Sequence, residues 1–194
     1  MDSYSFFALA FRMKYINRWG LMRSTVGENL LEHSAQCAML AHALCEIGNA
    51  YFGKSYDASK AALCALYHDI SEIYTGDMPT PVKYFNETIR DSYKQLEHDA
   101  VYKALGKLPS ELSEKYGDIL DYESDADIKR IVKAADKLCA YIKCVGESGN
   151  GNGEFAEALK TTRNALDAMS ETCPELKYFL DNFAKAFEKP LDEL

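Results

Sequence analysis

The stretch that decides the fold is residues 61–74, which read Ala61-Ala62-Leu63-Cys64-Ala65-Leu66-Tyr67-His68-Asp69-Ile70-Ser71-Glu72-Ile73-Tyr74. It contains neither Gly nor Pro, so it predicts one helix, over 58–75, that ends at Gly76. One side of that helix carries the large aliphatic residues Leu63, Leu66, Ile70 and Ile73. The other side carries His68, Asp69 and Glu72 beside only Ala61 and Ala65, which is not the composition of a solvated face.

We therefore expect this helix to be buried nearly all round. Burying an uncompensated charge is costly, so the His, Asp and Glu side chains need a partner. A bound cation would supply it, and the small alanine side chains beside them leave room for an ion.

The composition is that of an ordinary globular protein, with 194 residues, 47% hydrophobic and 27% charged. This length predicts a single domain over residues 1–194. The net charge of -8 argues against binding nucleic acid polymers, although a small phosphorylated ligand needs only local positive charge. No apolar run is long enough to cross a membrane, and residues 1–7 lack the basic start and cleavage site of a signal peptide.

The six cysteines form no CxxC pair and fall mostly on apolar helix positions. Scattered thiols in a chain of this length are typical of a reduced, cytoplasmic protein. We expect neither a disulfide framework nor a zinc site built from cysteine.

The rest of the chain shows helical periodicity and no strand alternation, so the predicted fold class is all-α, a single-domain helical bundle. Asn29 and Glu32 resemble a capping box that starts a helix running to about residue 48. On the helix predicted over 86–105, the residues expected to face inward are Ile89, Tyr93, Leu96, Ala100 and Ala104. The remaining predicted helices are 3–15, a short one after Pro109, 125–145 capped by Ser124 or Asp125, 154–171 and 175–187. Residues 20–28 are predicted to be a loop, and 148–153 a mobile surface turn.

Only two of the four histidines have the surroundings of a buried site. His42 and His98 are predicted on solvated faces, whereas His33 and His68 lie among inward-facing apolar residues. Either of the latter alone is more often a hydrogen-bonded core histidine, but Asp136 at the margin of an apolar stripe adds a third candidate. Two imidazoles and two carboxylates suit a divalent first-row metal with positions left for water and substrate. The predicted ligands are His33, His68, Asp69 and Asp136, held by helices over about 29–48, 58–75 and 125–145.

These residues resemble the H…HD…D signature of the HD-domain metal-dependent phosphohydrolases. The flanking sequence is similar to the bacterial YfbR-type 5′-deoxynucleotidases in residues 16–19, 28–29 with 32–34, 67–72, 75–85 and 135–141. The likeness extends from about Ser5 to at least Lys143. One departure is Val26-Gly27, where the family would have polar or basic residues before Glu28.

The resemblance implies an HD-type bundle that hydrolyses deoxyribonucleoside 5′-monophosphates to deoxynucleoside and phosphate, working as a homodimer. It also implies one divalent ion, Co or Mn first, although such a donor set also accepts Fe, Ni or Zn. The alternatives are an HD phosphohydrolase acting on a nucleoside triphosphate, cyclic dinucleotide or guanosine tetraphosphate, and a non-catalytic, metal-containing binding module.

Individual roles follow from the resemblance. Glu72, one turn after His68 on the same face, is the expected general acid or base; its alternative role is to orient His68 or Arg18. Arg18 is expected to clamp the phosphate, and so to be catalytic as well as substrate-binding, unless it is only a surface cation. Trp19 would form one side of the nucleoside pocket; its alternative role is that of a core aromatic. Asp77 would accept a hydrogen bond from the sugar 3′-hydroxyl; its alternative role is to cap or stabilise the turn. The expected substrate-binding residues are Arg18, Trp19, His33, Asp69, Asp77, Met78, Pro79, Thr80 and Asp136.

Overall fold

The computed structural model describes residues 3–194, and within that range it contains helices and one isolated bridge, Asn17 with Asn29, but no β-strand. The all-α prediction is confirmed. Met1 and Asp2, at the start of the segment predicted to lack a signal peptide, lie outside the described residues. The helices are α1 (Phe6–Ala10), α2 (Leu30–Tyr51), α3 (Ala58–Tyr67), α4 (Glu72–Thr75), α5 (Thr80–Lys83), α6 (Glu87–Leu105), α7 (Ser110–Leu120), α8 (Ala126–Gly149), α9 (Ala156–Ser170) and α10 (Pro174–Asn182). Short 3₁₀ turns cover Phe11–Tyr15, Tyr122–Ser124, Gly153–Phe155, Ala184–Glu188 and Leu191–Glu193.

The two long central helices begin at side-chain caps that the sequence predicts. Asn29 Oδ1 accepts from the backbone N–H groups of Leu31 and Glu32, and Glu32 Oε2 accepts from Asn29 N, which completes the capping box of α2. Asp125 Oδ1 accepts from Ile128 N at the start of α8. Both helices run about one turn further than predicted.

The core lies where α2, α3 and α8 pack together, and it is built largely of small residues. Fully buried residues on these helices include Ala41, Ala61, Ala65, Ala134 and Ala135. Small side chains let the helix axes approach closely. A second cluster, centred on Phe6, Met13, Leu30 and Ile70, lies at the amino-terminal end of α2.

The prediction of one helix over 58–75 is wrong, because α3 ends at Tyr67 and α4 begins at Glu72. Between them the backbone forms 3₁₀-type hydrogen bonds, in which Ile70 N donates to Tyr67 O and Glu72 N donates to Asp69 O, both at 3.0 Å. The cause is His68: its Nδ1 lies 2.7 Å from Ala65 O, the carbonyl that a continuing α-helix would offer to Asp69 N. The site doublet therefore lies in a turn.

Three predicted inward positions are wrong: Leu63, Ile89 and Leu96 are 43%, 36% and 49% exposed. Leu63 faces out because α3 uses its small residues, not its large ones, against α2. Helix α6 buries Tyr93, Ala100, Ala104 and Leu105 and leaves the rest of its apolar face partly or fully exposed.

The Gly/Asn segment 148–153 differs from the mobile turn that its composition predicts. Asn152 Nδ2 donates to Arg23 O at 2.7 Å and to Glu147 Oε2 at 2.8 Å, and its Oδ1 accepts from Glu154 N. These bonds attach the turn to the loop over 20–28.

Over residues 3–194, no helix has both the length and the apolar character needed to cross a membrane.

Candidate metal centre

Three segments of the bundle carry the four predicted ligands. His33 lies in the first turn of α2, fixed by the bond from its N–H to Asn29 O at 3.1 Å, and it is fully buried. His68 and Asp69 follow the end of α3, and Asp136 lies midway along α8. Because these helices form the core, their packing sets the geometry of the site.

The structure brings the four side chains to one point. His33 Nε2 lies 3.2 Å from Asp136 Oδ1 and 3.6 Å from Asp69 Oδ2. His68 Nε2 lies 3.1 Å from Asp69 Oδ2 and 4.0 Å from Asp136 Oδ1. Two imidazole nitrogens and two carboxylate oxygens therefore face the same small volume. His42 and His98, predicted on solvated faces, are exposed.

The hydrogen bonding of His68 prepares it as a ligand. Its Nδ1 donates to Ala65 O, which leaves the lone pair on Nε2. That Nε2 is buried and has no hydrogen-bond partner of acceptable geometry, even though Asp69 lies close. A buried, unpaired acceptor directed at two carboxylates is what a cation site requires.

The charges of the four groups depend on one another. Burial alone would lower the pKa of His33, but Asp136 raises that pKa to about 9. Burial likewise opposes the charge of His68, and Asp69 raises its pKa. Burial would raise the pKa of Asp69 and Asp136, yet the neighbouring imidazoles lower it. A divalent cation at this point can replace the proton that His33 otherwise holds beside Asp136.

Sequence reasoning missed two cysteines beside this site. Cys37 Sγ lies 3.4 Å from His33 Nε2 and 3.3 Å from Cys139 Sγ. One donor atom each from His33, Cys37, His68 and Asp136 can be chosen so that all lie within 4.8 Å of one another. Burial raises the pKa of Cys37, which keeps the thiol protonated. The available signal was spacing, since Cys37 lies one helical turn after His33.

Arg18 lies beside the carboxylates. Its Nη1 is 3.3 Å from Asp69 Oδ2, its Nη2 is 4.0 Å from Asp136 Oδ1, and its Nε is 3.5 Å from Glu28 Oε2. Burial would lower the pKa of Arg18, but Asp69, Asp136 and Glu28 raise it. It is a part-buried cation of the site, which excludes the simple surface role.

Trp19 adjoins Arg18 and is held by a residue that sequence reasoning did not select. Its backbone has φ of 59°, the left-handed region that is uncommon outside glycine, and its ring lies 5.3 Å from that of Phe155. Trp19 Nε1 donates to Glu28 Oε2 at 2.8 Å. Glu28 stands directly before the helix cap Asn29, and the only signal in the sequence was that residues 28–29 belong to the segments that resemble the family.

Glu72 opens α4 and is 8% exposed. Its Oε2 is buried without a hydrogen-bond partner. Burial, together with the negative charges of Asp69 and Asp77, raises the pKa of Glu72 to about 9. The group is therefore protonated at neutral pH, and no hydrogen bond joins it to His68 or Arg18 in the described part of the chain.

The loop after α4 lies against this acid. Gly76, with φ of 72°, turns the chain there, and its N–H donates to Glu72 O at 2.8 Å. Asp77, Met78 and Pro79 are half-buried, while Thr80 is exposed at the start of α5. Asp77 lies near enough to contribute to the raised pKa of Glu72.

Comparison with known proteins gives one consistent result. The family model of the YfbR-like 5′-deoxynucleotidases matches residues 5–187. A 5′-deoxynucleotidase of Vibrio parahaemolyticus is 47% identical over 195 residues, covering 100% of both chains.

Solved structures share the fold at lower identity. An HD-domain phosphohydrolase from Listeria innocua superposes with a TM-score of 0.82 at 22% identity, covering 94% of this chain and 88% of that one. The cyanophage S-2L HD phosphohydrolase, described as bound to dA and one catalytic Zn²⁺ ion, gives a TM-score of 0.64 at 21% identity and covers 92% of this chain and 96% of its own. The predicted HD-type helical bundle is confirmed.

Proposed function

The chain belongs to the YfbR-like 5′-deoxynucleotidase family, and from this premise we propose that its site hydrolyses deoxyribonucleoside 5′-monophosphates to deoxynucleoside and phosphate. The observation that carries the proposal is that two imidazoles and two carboxylates converge, with N to O distances of 4.0 Å or less, beside the part-buried Arg18. The cyanophage enzyme, with dA and a catalytic Zn²⁺, provides a parallel on the same fold.

His33, His68, Asp69 and Asp136 are the proposed ligands. We prefer Asp69 to Cys37 because its oxygen lies 3.1 Å from His68 Nε2 and 3.6 Å from His33 Nε2 and is ionised, whereas the buried thiol is protonated. When bound, a divalent ion supplies a Lewis acid that polarises the phosphoryl group and makes water a nucleophile near neutral pH. Mn²⁺ or Co²⁺ is proposed first, and the nitrogen and oxygen donors also accept Zn²⁺, Fe²⁺ or Ni²⁺.

Arg18 is proposed to bind the phosphate, and Glu72 to protonate the leaving group. The guanidinium of Arg18, already directed at the carboxylates, binds phosphate oxygens through its planar fork. Breaking the phosphoester bond leaves negative charge on the 5′ oxygen, which must take a proton. Glu72 is protonated at neutral pH and is the proposed donor, the general-acid role.

The nucleoside would lie between Trp19 and the loop over 77–80. Trp19, supported from behind by Phe155, gives a flat wall for the base. Asp77 is the proposed acceptor of the 3′-hydroxyl, and Met78, Pro79 and Thr80 hold the backbone near the sugar.

Two further properties of the chain are proposed. Phe183 and Phe187 are exposed near the carboxyl end and would suit a homodimer contact. All six cysteines are free and buried, which favours a reducing, cytoplasmic compartment.

The direct test is phosphate release from deoxyadenosine 5′-monophosphate and its ribose counterpart, each with Mn²⁺, Co²⁺ or Zn²⁺. We expect release from the deoxy compound and little from the ribo compound, and none after chelation. Release only from a nucleoside triphosphate, cyclic dinucleotide or guanosine tetraphosphate would favour another HD phosphohydrolase activity. No release from any of these would leave a non-catalytic binding module.

A further inference from the structure

We infer that Glu28 is a positioning residue that joins the metal ligand His33 to the phosphate clamp Arg18 and the pocket wall Trp19. The inference rests on the proposed function for the roles of those three residues. It assigns Glu28 a task that no sequence motif predicted, and its evidence is the set of contacts that the two carboxylate oxygens make.

The two oxygens of Glu28 face different neighbours. Oε2 accepts from Trp19 Nε1 at 2.8 Å and lies 3.5 Å from Arg18 Nε. Oε1 lies 3.8 Å from His33 Nδ1, the nitrogen opposite the one that faces Asp69 and Asp136. The side chain is 9% exposed, so these contacts are formed largely out of water.

The backbone around Glu28 fixes this arrangement. Arg18 N donates to Glu28 O at 3.0 Å, and Leu30 N donates to Ile16 O at 2.9 Å. With the bridge between Asn17 and Asn29, these bonds hold the segment before Trp19 against the segment before α2. Capping of α2 uses the side chains of Asn29 and Glu32, so that the carboxylate of Glu28 is free of any capping role.

Each contact has a physical consequence at the site. A carboxylate facing the outer nitrogen of a metal-binding imidazole favours the tautomer with its proton there, which leaves Nε2 of His33 as the ligand atom. By facing Nε of Arg18, Glu28 also leaves the two Nη groups directed at Asp69 and Asp136, where phosphate would approach. One carboxylate thus sets the orientation of the ligand and of the clamp.

The chain offers a direct reporter, since Trp19 is its only tryptophan. The test variant is Glu28→Gln, which keeps the shape of the side chain and removes its charge. The matched control is Glu32→Gln, four residues on, whose exposed side chain only caps α2 and whose glutamine can keep that bond. Glu28→Asp, which keeps the charge but shortens the side chain, is the second test variant and decides the matter if Glu28→Gln does not fold.

The first measurement is made without substrate, on the metal-free protein and during titration with Mn²⁺. We expect both Glu28 variants to change the emission maximum and acrylamide quenching of Trp19, and to raise the Mn²⁺ dissociation constant about 10–100-fold. Glu32→Gln should change neither. Wild-type emission or a wild-type dissociation constant in the folded Glu28 variants would overturn the inference.

The second measurement is the energetic coupling between Glu28 and Arg18, obtained from a double-mutant cycle. We expect Glu28→Gln to lower kcat/KM for deoxyadenosine 5′-monophosphate by a smaller factor in an Arg18→Ala background than in the wild type, because its effect passes through Arg18. Equal factors in both backgrounds would contradict that part of the inference. If the wild type releases no phosphate, the proposed function fails, whereas fluorescence and metal affinity still decide the role of Glu28.

Discussion

At the scale of single residues, Glu72 shows how burial can set the role of a carboxylate. Burial, with the negative charges of Asp69 and Asp77, raises its pKa to about 9 against the opposing charges of Arg18 and Lys83, so its neutral form is favoured. A neutral carboxylic acid can donate a proton at a pH where an exposed glutamate cannot.

We therefore expect Glu72→Ala and Glu72→Gln to lower kcat about 10²–10⁴-fold, because neither side chain can donate a proton as a carboxylic acid. Both variants should still bind nucleotide and keep the metal. Turnover under saturating Mn²⁺, with metal content by elemental analysis, checks this. Loss of metal from either variant would instead make Glu72 a ligand.

Variants of the proposed ligands should lose the metal, in contrast to the Glu72 variants. Asp136→Asn and His68→Ala should release the metal and abolish activity, because each removes one of the four converging donor atoms. Elemental analysis after dialysis is the measurement, with the exposed His98→Ala as the control that keeps its metal. A full metal complement in both ligand variants would refute this assignment.

At the scale of elements, the loop over 20–28 is fixed by helix α8 through one buried carboxylate. Glu147, 2% exposed, accepts from Thr25 N at 2.8 Å, Val26 N at 3.2 Å and Lys143 Nζ at 2.5 Å. Lys143 also donates to Val26 O. The backbone at Thr25 and Val26 is thus held to α8 by hydrogen bonds.

This network has a measurable pH dependence. Burial would raise the pKa of Glu147, but its bonds from Lys143, Thr25 and Asn152 lower it below the unfolded value of about 4.3. Its contribution is therefore present above that pH and is lost as the pH falls through the folded-state pKa. Glu147→Gln should lower the free energy of unfolding by about 1–3 kcal/mol at pH 7, and the deficit should shrink in acid.

Urea unfolding at pH 7 and pH 3.5 measures that deficit. Glu154→Gln is the control, since Glu154 binds Arg23 of the same loop at the surface, where such pairs contribute little. A deficit that stays constant with pH would mean that the charge of Glu147 is not what holds the loop.

The elements also show what local sequence can predict. The caps at Asn29 and Asp125 were predictable because their bonds span only a few residues. The end of α3 was not predictable, because it depends on the hydrogen bond from the His68 side chain to the Ala65 carbonyl. The exposure of Leu63 was not predictable either, because it depends on which face of α3 packs against α2. Contacts such as Glu28 with Trp19 and Cys37 with Cys139 join separate segments and leave no periodic signal.

At the scale of the whole molecule, the site is a junction of the bundle and not a feature of any one helix. Helices α2 and α8 and the turn after α3 each supply ligands. The sequence pointed to them through polar residues in apolar surroundings and through the resemblance of its H…HD…D pattern. Without a cation, the junction holds two carboxylates close together, and their charge is compensated by His33, whose pKa is raised to about 9, and by Arg18.

Removing the metal should therefore weaken the whole bundle, because an ion bound only by the folded state stabilises it by mass action. At a metal concentration 100 times the dissociation constant this is about 2.7 kcal/mol, or about 5–10 °C in melting temperature for a chain of this size. Calorimetry of the wild type in Mn²⁺ and in chelator measures the difference. Asp136→Asn lacks a ligand and should melt at the same temperature in Mn²⁺ and in chelator. If this variant gained as much melting temperature from Mn²⁺ as the wild type, or if the wild type gained none, an ion held by α2, α8 and the turn after α3 would be contradicted.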